Sequence, residues 1–221
     1  MIVEFIGESG CGKTTLSNSV FPKIEGAQRK GHRSAKDNLL ALLKINKDKE
    51  LRKIYKDILR LSYETNGLKR YFKNSIYLAG HVEVMRQDKE SEGLWIIDQG
   101  YLQFLQTVYF NEEPKNDHYK SVVENLMNTT NYLVVACKCD TDTLMKRIKK
   151  RESDREKGRS ADNNPRRIEN ADKKMFELHG KNMERVLSCI PEDRFIIIDT
   201  SADTEENAGR VCGFIRSRRG K

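Results

Sequence analysis

Residues 7–14 read Gly7-Glu8-Ser9-Gly10-Cys11-Gly12-Lys13-Thr14, the spacing G-x-x-x-x-G-K-[ST] with an additional central glycine. Glycines at these positions let the backbone turn tightly and aim successive N–H groups at phosphate oxygens. Lys13 is then placed to reach the β- and γ-phosphates of a triphosphate, and the Thr14 hydroxyl to hold Mg²⁺. A helix starting at this point directs its positive end at the same anion. Gly7, Gly10, Cys11, Gly12, Lys13, Thr14 and Thr15 are therefore the candidate nucleotide-binding residues.

A second chemical group stands at Leu94-Trp95-Ile96-Ile97-Asp98-Gln99-Gly100, where a carboxylate follows an apolar run. In a doubly wound sheet the carboxyl ends of the strands line the ligand crevice, so Asp98 would share an edge with the phosphate loop. It could order the water shell of Mg²⁺ with Thr14, or take a proton from an attacking hydroxyl. The competing structural role is N-cap of the following helix. A third group is cationic. Arg147, Arg151 and Arg155 recur every four residues, which places them along one face of a helix. Arginines that close over a transferring phosphoryl group stabilise the charge spread over its oxygens; a solvated helix face is the plainer reading.

These groups require a scaffold. Apolar runs at 2–6, 94–97, 132–136 and 195–198 are short and rich in Ile and Val, as buried parallel strands are. Helical spacing occupies 14–20, 36–64, 68–87, 119–127, 143–151 and 167–190. Strands alternating with helices imply right-handed crossovers and a parallel sheet covered on both faces. A fifth strand is either weakly encoded around 24–34, or that region is irregular. The most polar segment, 151–165, reads as a mobile loop.

Composition bounds the rest. The chain has 221 residues, 33% of them charged, with a formal net charge of +8. That length suits one domain with a small insertion. No stretch approaches the roughly 20 apolar residues that cross a bilayer. The opening apolar run ends too early for a secretory signal, which points to a cytoplasmic protein. The five cysteines lack the paired spacing of a zinc module and read as reduced thiols. Lone histidines at 32, 81, 118 and 179 make no metal case. The basic residues cluster at 146–159 and in the tail, so small phosphates and nucleic acid are both candidate partners. Few aromatic residues interleave with them, which argues against a stacking platform for single strands. A regulatory GTPase needs N-K-x-D and D-x-x-G; Asn46-Lys47-Asp48 and Asp98-Gln99-Gly100 each miss by one place. The transporter signature L-S-G-G-Q is absent, and a motor ATPase would place Asp-Glu where this chain has Asp98-Gln99.

At these residues the sequence resembles the thymidylate-kinase-like branch of P-loop kinases, close to the nucleoside and nucleotide kinases. The likeness runs from the opening I-V-E-F-I-G-E-S-G-C-G-K-T-T-L through 79–86, Asp98-Gln99-Gly100, the Arg147–Arg151 segment with Asp154-Arg155-Glu156, and 195–200 before Glu205-Glu206-Asn207. It implies a three-layer P-loop NTPase fold with a mostly parallel sheet flanked by helices, a helical acceptor-side insertion at 34–90 and an Arg-rich lid at 147–165, all in one domain, 1–221. It implies ATP and Mg²⁺ as cofactors and a small acceptor, a nucleotide or nucleoside. It assigns catalytic roles to Lys13, Asp98, Arg147, Arg151 and Arg155, metal contacts to Thr14 and Asp98, acceptor contacts to Arg86 and Gln99, and the segment 205–207 to a loop beside the adenine. It also fits a homodimer. One departure stands out: the family pairs its strand-end aspartate with an arginine, and this chain has Gln99. That shifts the expected acceptor from a monophosphate toward a neutral hydroxyl. Arg29, Lys30, His32 and Arg33 are further candidates to grip an anionic acceptor. The alternatives are a nucleic-acid-linked ATPase or polynucleotide kinase, and a regulatory nucleotide-binding module without catalysis.

Overall fold

The computed structural model describes residues 1–29, 35–91, 93–108, 118–156 and 173–219; within these, the side chains of 35, 65–74, 107–108, 151–152, 155–156 and 173–176 are not described. Five strands form one parallel sheet: β1 (Ile2–Gly7), β2 (Ala27–Arg29), β3 (Leu94–Asp98), β4 (Tyr132–Lys138) and β5 (Phe195–Asp199), in the order β2-β3-β1-β4-β5. Central β1 pairs with β3 from Ile2↔Trp95 to Phe5↔Asp98 and with β4 from Ile2↔Tyr132 to Gly7↔Cys137. This register brings the carboxyl ends of β1 and β3 to one edge, where the phosphate loop and Asp98 both leave the sheet. The weakly encoded strand exists. It is the three-residue β2, paired with β3 from Ala27↔Leu94 to Arg29↔Ile96.

Alternation along β1 divides the core into two layers. Ile2 and Ile6 join Val134, Ala136 and the apolar faces of helices α2 (Ala35–Ile45), α3 (Lys49–Ser91), α4 (Tyr101–Val108), α5 (His118–Thr129) and α7 (Lys173–Leu187). Val3 and Phe5 join Leu133, Val135 and helices α1 (Lys13–Val20), α6 (Thr141–Glu156) and α8 (Thr204–Arg218). The expected three-layer α/β fold is thus present.

Two helix boundaries differ from expectation. The stretch 36–64 is broken after α2, because Asp48 starts a new helix: its carboxylate accepts the N–H groups of Glu50 at 2.9 Å and Leu51 at 3.0 Å. The helical run α3 then continues for 43 residues. As a straight rod it would be about 65 Å long. Yet Lys89 Nζ lies 2.6 Å from Glu50, and the Tyr55 hydroxyl donates to the carbonyl of Ser75 at 2.9 Å. The run therefore doubles back on itself between Tyr55 and Ser75. The expected gap between 64 and 68 is not present as a break: the helical run passes through it. The helix that Asp98 was expected to precede is α4; α8 was not expected, and it contains Glu205, Glu206 and Asn207, which the resemblance had assigned to a loop.

Candidate functional site: the phosphate loop and its walls

The loop from Gly7 to Gly12 joins β1 to α1 and packs directly on the sheet. A Cβ on Gly7, at φ +149°, would stand 2.4 Å from the carbonyl oxygen of Cys137 and 2.9 Å from Cys11 Sγ, so the neighbouring strand and the loop's own sulfur leave room for glycine alone. Gly12, at φ +101°, caps α1 without a side-chain hydrogen bond, which leaves the first-turn N–H groups of that helix open to an anion. Gly10 packs against Ile148 of α6.

Lys13 is 7% exposed and curls back over the loop, donating to the carbonyl oxygens of Gly7 at 2.9 Å and Glu8 at 2.8 Å. Its Nζ is 4.0 Å from Cys11 Sγ. A hydrogen bond with Cys137, aided by Lys13 and Arg147, pulls the Cys11 thiol below its ordinary range against its burial, and the Cys137 thiol is held high by the same pairing. A triphosphate arriving at the loop would exchange the two carbonyl partners of Lys13 for phosphate oxygens.

Thr14 and Asp98 meet as the shared edge requires. The Thr14 hydroxyl donates to Asp98 Oδ2 at 2.5 Å. Asp98 Oδ1 is buried and has no hydrogen-bond partner among the described residues. A hydroxyl and a carboxylate with one spare oxygen form a hard oxygen-donor pair. This suits Mg²⁺, which retains most of its own water and takes one or two protein ligands. Among the described residues, no cluster of three or more His, Cys, Asp or Glu side chains could hold a metal.

Asp98 does not cap the helix after it. Glu4 does that from the middle of β1. This carboxylate is fully buried, between Ile2 and Ile6 on the apolar face of the sheet. Oε1 accepts the N–H groups of Gly100 at 2.8 Å and Gln103 at 2.7 Å; Oε2 accepts the N–H of Leu102 at 2.9 Å and the Tyr132 hydroxyl at 2.6 Å. Burial pushes the Glu4 pKa up, and these four donors work against the rise. The Gln103 side chain in turn accepts the N–H of Gly7 at 2.9 Å. Gln99, between Asp98 and Gly100, is exposed and adopts φ +68°, a left-handed conformation uncommon outside glycine.

On the other side of the loop, Arg147 donates to the carbonyl oxygens of Cys11 at 3.0 Å and Thr200 at 2.8 Å. The Thr200 hydroxyl also bonds the Cys11 carbonyl, tying the end of β5 to the loop. A cavity of about 350 Å³ opens here, lined by Gly10, Gly12, Thr15, Arg147, Thr200 and Asn207 among others. Arg147 is therefore a wall of this cavity, and a role on a transferring group requires its two carbonyl bonds to be exchanged. Arg151 and Arg155 lie in α6, but their side chains are outside those described; of the lid expected at 147–165, residues 157–165 are outside the described residues.

Arg86 is not brought to the loop. Its guanidinium holds both oxygens of buried Glu83 at 2.8 Å and also pairs with Glu90. Asp88, two residues on, pairs with the amino group of Met1, at the opposite end of β1 from the loop. Arg86, expected at the acceptor, is engaged here in ion pairs with Glu83 and Glu90. Arg29 donates to Asn18 and to the Ser17 carbonyl and stacks over Phe21, 4.4 Å from its centroid; Lys30, His32 and Arg33 lie outside the described residues.

Sequence reasoning did not assign a role to Glu4, Gln103 or Thr200, and it placed Asn207 only within the segment beside the adenine. A signal for Glu4 was present: an acid inside a five-residue apolar run must find partners or unfold its surroundings. The partners themselves are distant in sequence.

No protein-family model matches the sequence, and no curated protein is significantly similar to it. Solved structures do match. A deoxyadenosine kinase from M. mycoides, solved with the products dCMP and a flexible dCDP, superposes with a TM-score of 0.56 at 17% identity, over 98% of this chain and 100% of that one. The same enzyme with bound dATP gives a TM-score of 0.56 at 19% identity, over 98% and 100%. A thymidylate kinase from Candida albicans gives 0.52 at 13% identity, over 99% and 92%. This chain has the fold of these nucleoside and nucleotide kinases along nearly its whole length. Among the described residues, no helix is long and apolar enough to cross a membrane.

Proposed function

We propose that this protein transfers a phosphoryl group from Mg-ATP to a hydroxyl of a small acceptor, a nucleoside or nucleotide. The observation that carries the reading is the Thr14–Asp98 pair at the mouth of the phosphate loop, with Asp98 Oδ1 left over for a further partner. The backbone of Gly10 to Thr15 cradles the donor phosphates, and Lys13 moves from the loop carbonyls onto them. The nucleoside half of the donor occupies the cavity beside Arg147 and Thr200, whose volume falls in the range of small-molecule sites. Thr14 and Asp98 would hold Mg²⁺, which would supply neutralisation of the charge that builds on the phosphates. Asp98 also takes the proton of the acceptor hydroxyl, directly or through water. Arg151 and Arg155 complete the closure, and Gln99 faces the acceptor in place of the family's arginine, which favours a neutral hydroxyl over a monophosphate. The deoxyadenosine and thymidylate kinases that share the fold support a nucleoside or nucleotide acceptor.

The test is ADP and product formation from Mg-ATP with a panel of nucleosides, nucleoside monophosphates and sugars. Lys13→Ala is expected to lower turnover by about 10³-fold, the scale of removing one electrostatic stabiliser from a transferring group, while the fold survives. Full activity in that variant overturns the site assignment; ADP released without a phosphorylated product turns the reading into an ATPase.

A further inference from the structure

A charged side chain in the middle of a buried strand demands a reason. Glu4 sits on the central strand at 0% exposure, and all four of its described hydrogen bonds go to groups outside β1. Three of them are the backbone N–H groups of Gly100, Leu102 and Gln103, at and around the start of α4. A helix begins with N–H groups that need acceptors, and its own sequence normally provides one at the N-cap. Here the acceptor comes from another strand. The start of α4 is thereby riveted to the sheet directly under the turn 98–100.

That turn carries Asp98. Between Asp98 and the first Glu4-bound N–H stands Gln99 alone, in a left-handed conformation. Such a backbone is strained outside glycine and persists only where its surroundings over-determine it. The Glu4 contact to Gly100 on one side and the Thr14 contact to Asp98 on the other do that. The approach is close enough to exclude any side chain at residue 100: a Cβ there would stand 2.7 Å from Glu4 Cδ. Gln103, whose N–H is held by Glu4, extends the same framework to the phosphate loop by accepting the N–H of Gly7. One buried carboxylate therefore sets the height of the metal-side aspartate relative to the loop that holds the phosphates.

We propose that Glu4 is a positioning residue for phosphoryl transfer: by capping α4 from within the sheet, it fixes the turn 98–100 and so aims Asp98 at the metal shared with Thr14. The inference rests on the function proposed above. Its signature is a separation of effects. Binding of the triphosphate without metal uses the loop and α1, which Glu4 reaches only at second hand through the Gln103–Gly7 contact, whereas metal-dependent steps use Asp98.

Glu4→Gln preserves shape but turns an N–H₂ group toward donors that need an acceptor. It is expected to lower kcat at least tenfold and to raise the half-saturating Mg²⁺ concentration at least threefold, while the metal-free dissociation constant of ATP stays within twofold. Gly100→Ala pushes on the same contact from the other side with the carboxylate intact, and should show the same pattern; it decides the matter if Glu4→Gln does not fold. Tyr132→Phe removes a donor that is not part of the α4 cap, and is expected to keep kcat and the Mg²⁺ requirement within twofold of the parent. Parental kcat and Mg²⁺ requirement in the capping variants overturn the proposal, and so does an equal loss in Tyr132→Phe, which would mark a general loosening of the core. A parent that forms no ADP with any acceptor defeats the proposed function and this inference together; an active parent with indistinguishable variants defeats this inference alone.

Discussion

Glu8 is an acid inside a loop built to receive an anion. Its carboxyl is partly buried, and burial pushes its pKa up to about 7, with Cys11 adding to the rise and Lys13 and Lys138 opposing it. Below that pH the side chain is neutral beside the phosphates; above it, a second negative charge enters the loop. At a few ångströms and an intermediate dielectric, such repulsion is worth on the order of 1–2 kcal/mol after screening. The metal-free dissociation constant for ATP is therefore expected to rise between pH 6 and pH 8.5 about tenfold more in the parent than in Glu8→Gln. Calorimetric titration of both proteins measures this; parallel pH profiles would refute it. Stability carries the same linkage. Between about pH 4.5 and 7 the folded protein keeps a proton on Glu8 that the unfolded chain has released, so this contribution falls as pH rises through that window. His179 has the opposite slope. Burial first, then Lys13, pushes its pKa down to about 4, so its contribution is lost as pH falls from 6.5 toward 4. The phosphate loop was legible because its chemistry is confined to eight consecutive residues. Asp98 was legible because it ends an apolar run. Glu4 was visible as an anomaly but not as a function, since its partners lie 96 to 128 residues further along the chain.

Among the elements, the strands other than β2 read clearly because each is a short block rich in β-branched and aliphatic residues; β1 and β4 are buried along their length, whereas edge strand β5 exposes Ile197. β2 was nearly illegible: three residues, Ala27-Gln28-Arg29, make a strand only because β3 offers them a partner. α4 carries Tyr101-Leu102-Gln103-Phe104 without a capping residue of its own, and its start is stabilised from β1 instead. α8, by contrast, announces itself locally. Asp203 caps it by accepting the N–H of Glu206 at 2.9 Å, and two acids follow in the first turn; here the resemblance, not the residues, led to a loop. The reversal of α3 is the element with the most to test. Lys89 and Glu50 would be about 58 Å apart on a straight helix, and they are in contact. A zero-length carbodiimide coupling is expected to join the peptides containing Lys89 and Glu50, and Glu50→Gln to abolish that product. Absence of the link in the parent, with other ion pairs coupled, would mean that the arms do not lie side by side. The same contact explains how 43 helical residues pack against a five-stranded sheet at all.

For the whole molecule, the question is where a net charge of +8 goes. In the tail it holds the fold together. Arg216, Arg218 and Arg219 donate to the carbonyl oxygens of Lys23, Asp193 and Glu25 at 2.7–2.8 Å, clamping the C-terminal end of α8 to the segment after α1 and to the turn before β5. These guanidinium groups are poor phosphate ligands while so engaged. The loop, by contrast, collects segments that are remote in sequence: Gly12 and Thr15 from α1's start, Arg147 from α6, Thr200 and Asn207 from the end of β5 and from α8. A ligand seated there bridges all of them and must stabilise the protein as a unit. At ATP concentrations about 100-fold above the dissociation constant, linkage gives about 2.7 kcal/mol, or about 5–10 °C in the melting temperature of a domain this size. A random oligonucleotide at equal phosphate concentration is expected to give a much smaller shift that disappears at about 200 mM salt, because contacts to a diffuse basic surface are lost steeply with ionic strength. Differential scanning calorimetry with both ligands at two salt concentrations separates the outcomes. A larger and salt-sensitive shift from the oligonucleotide would make the surface charge, rather than the loop, the seat of binding.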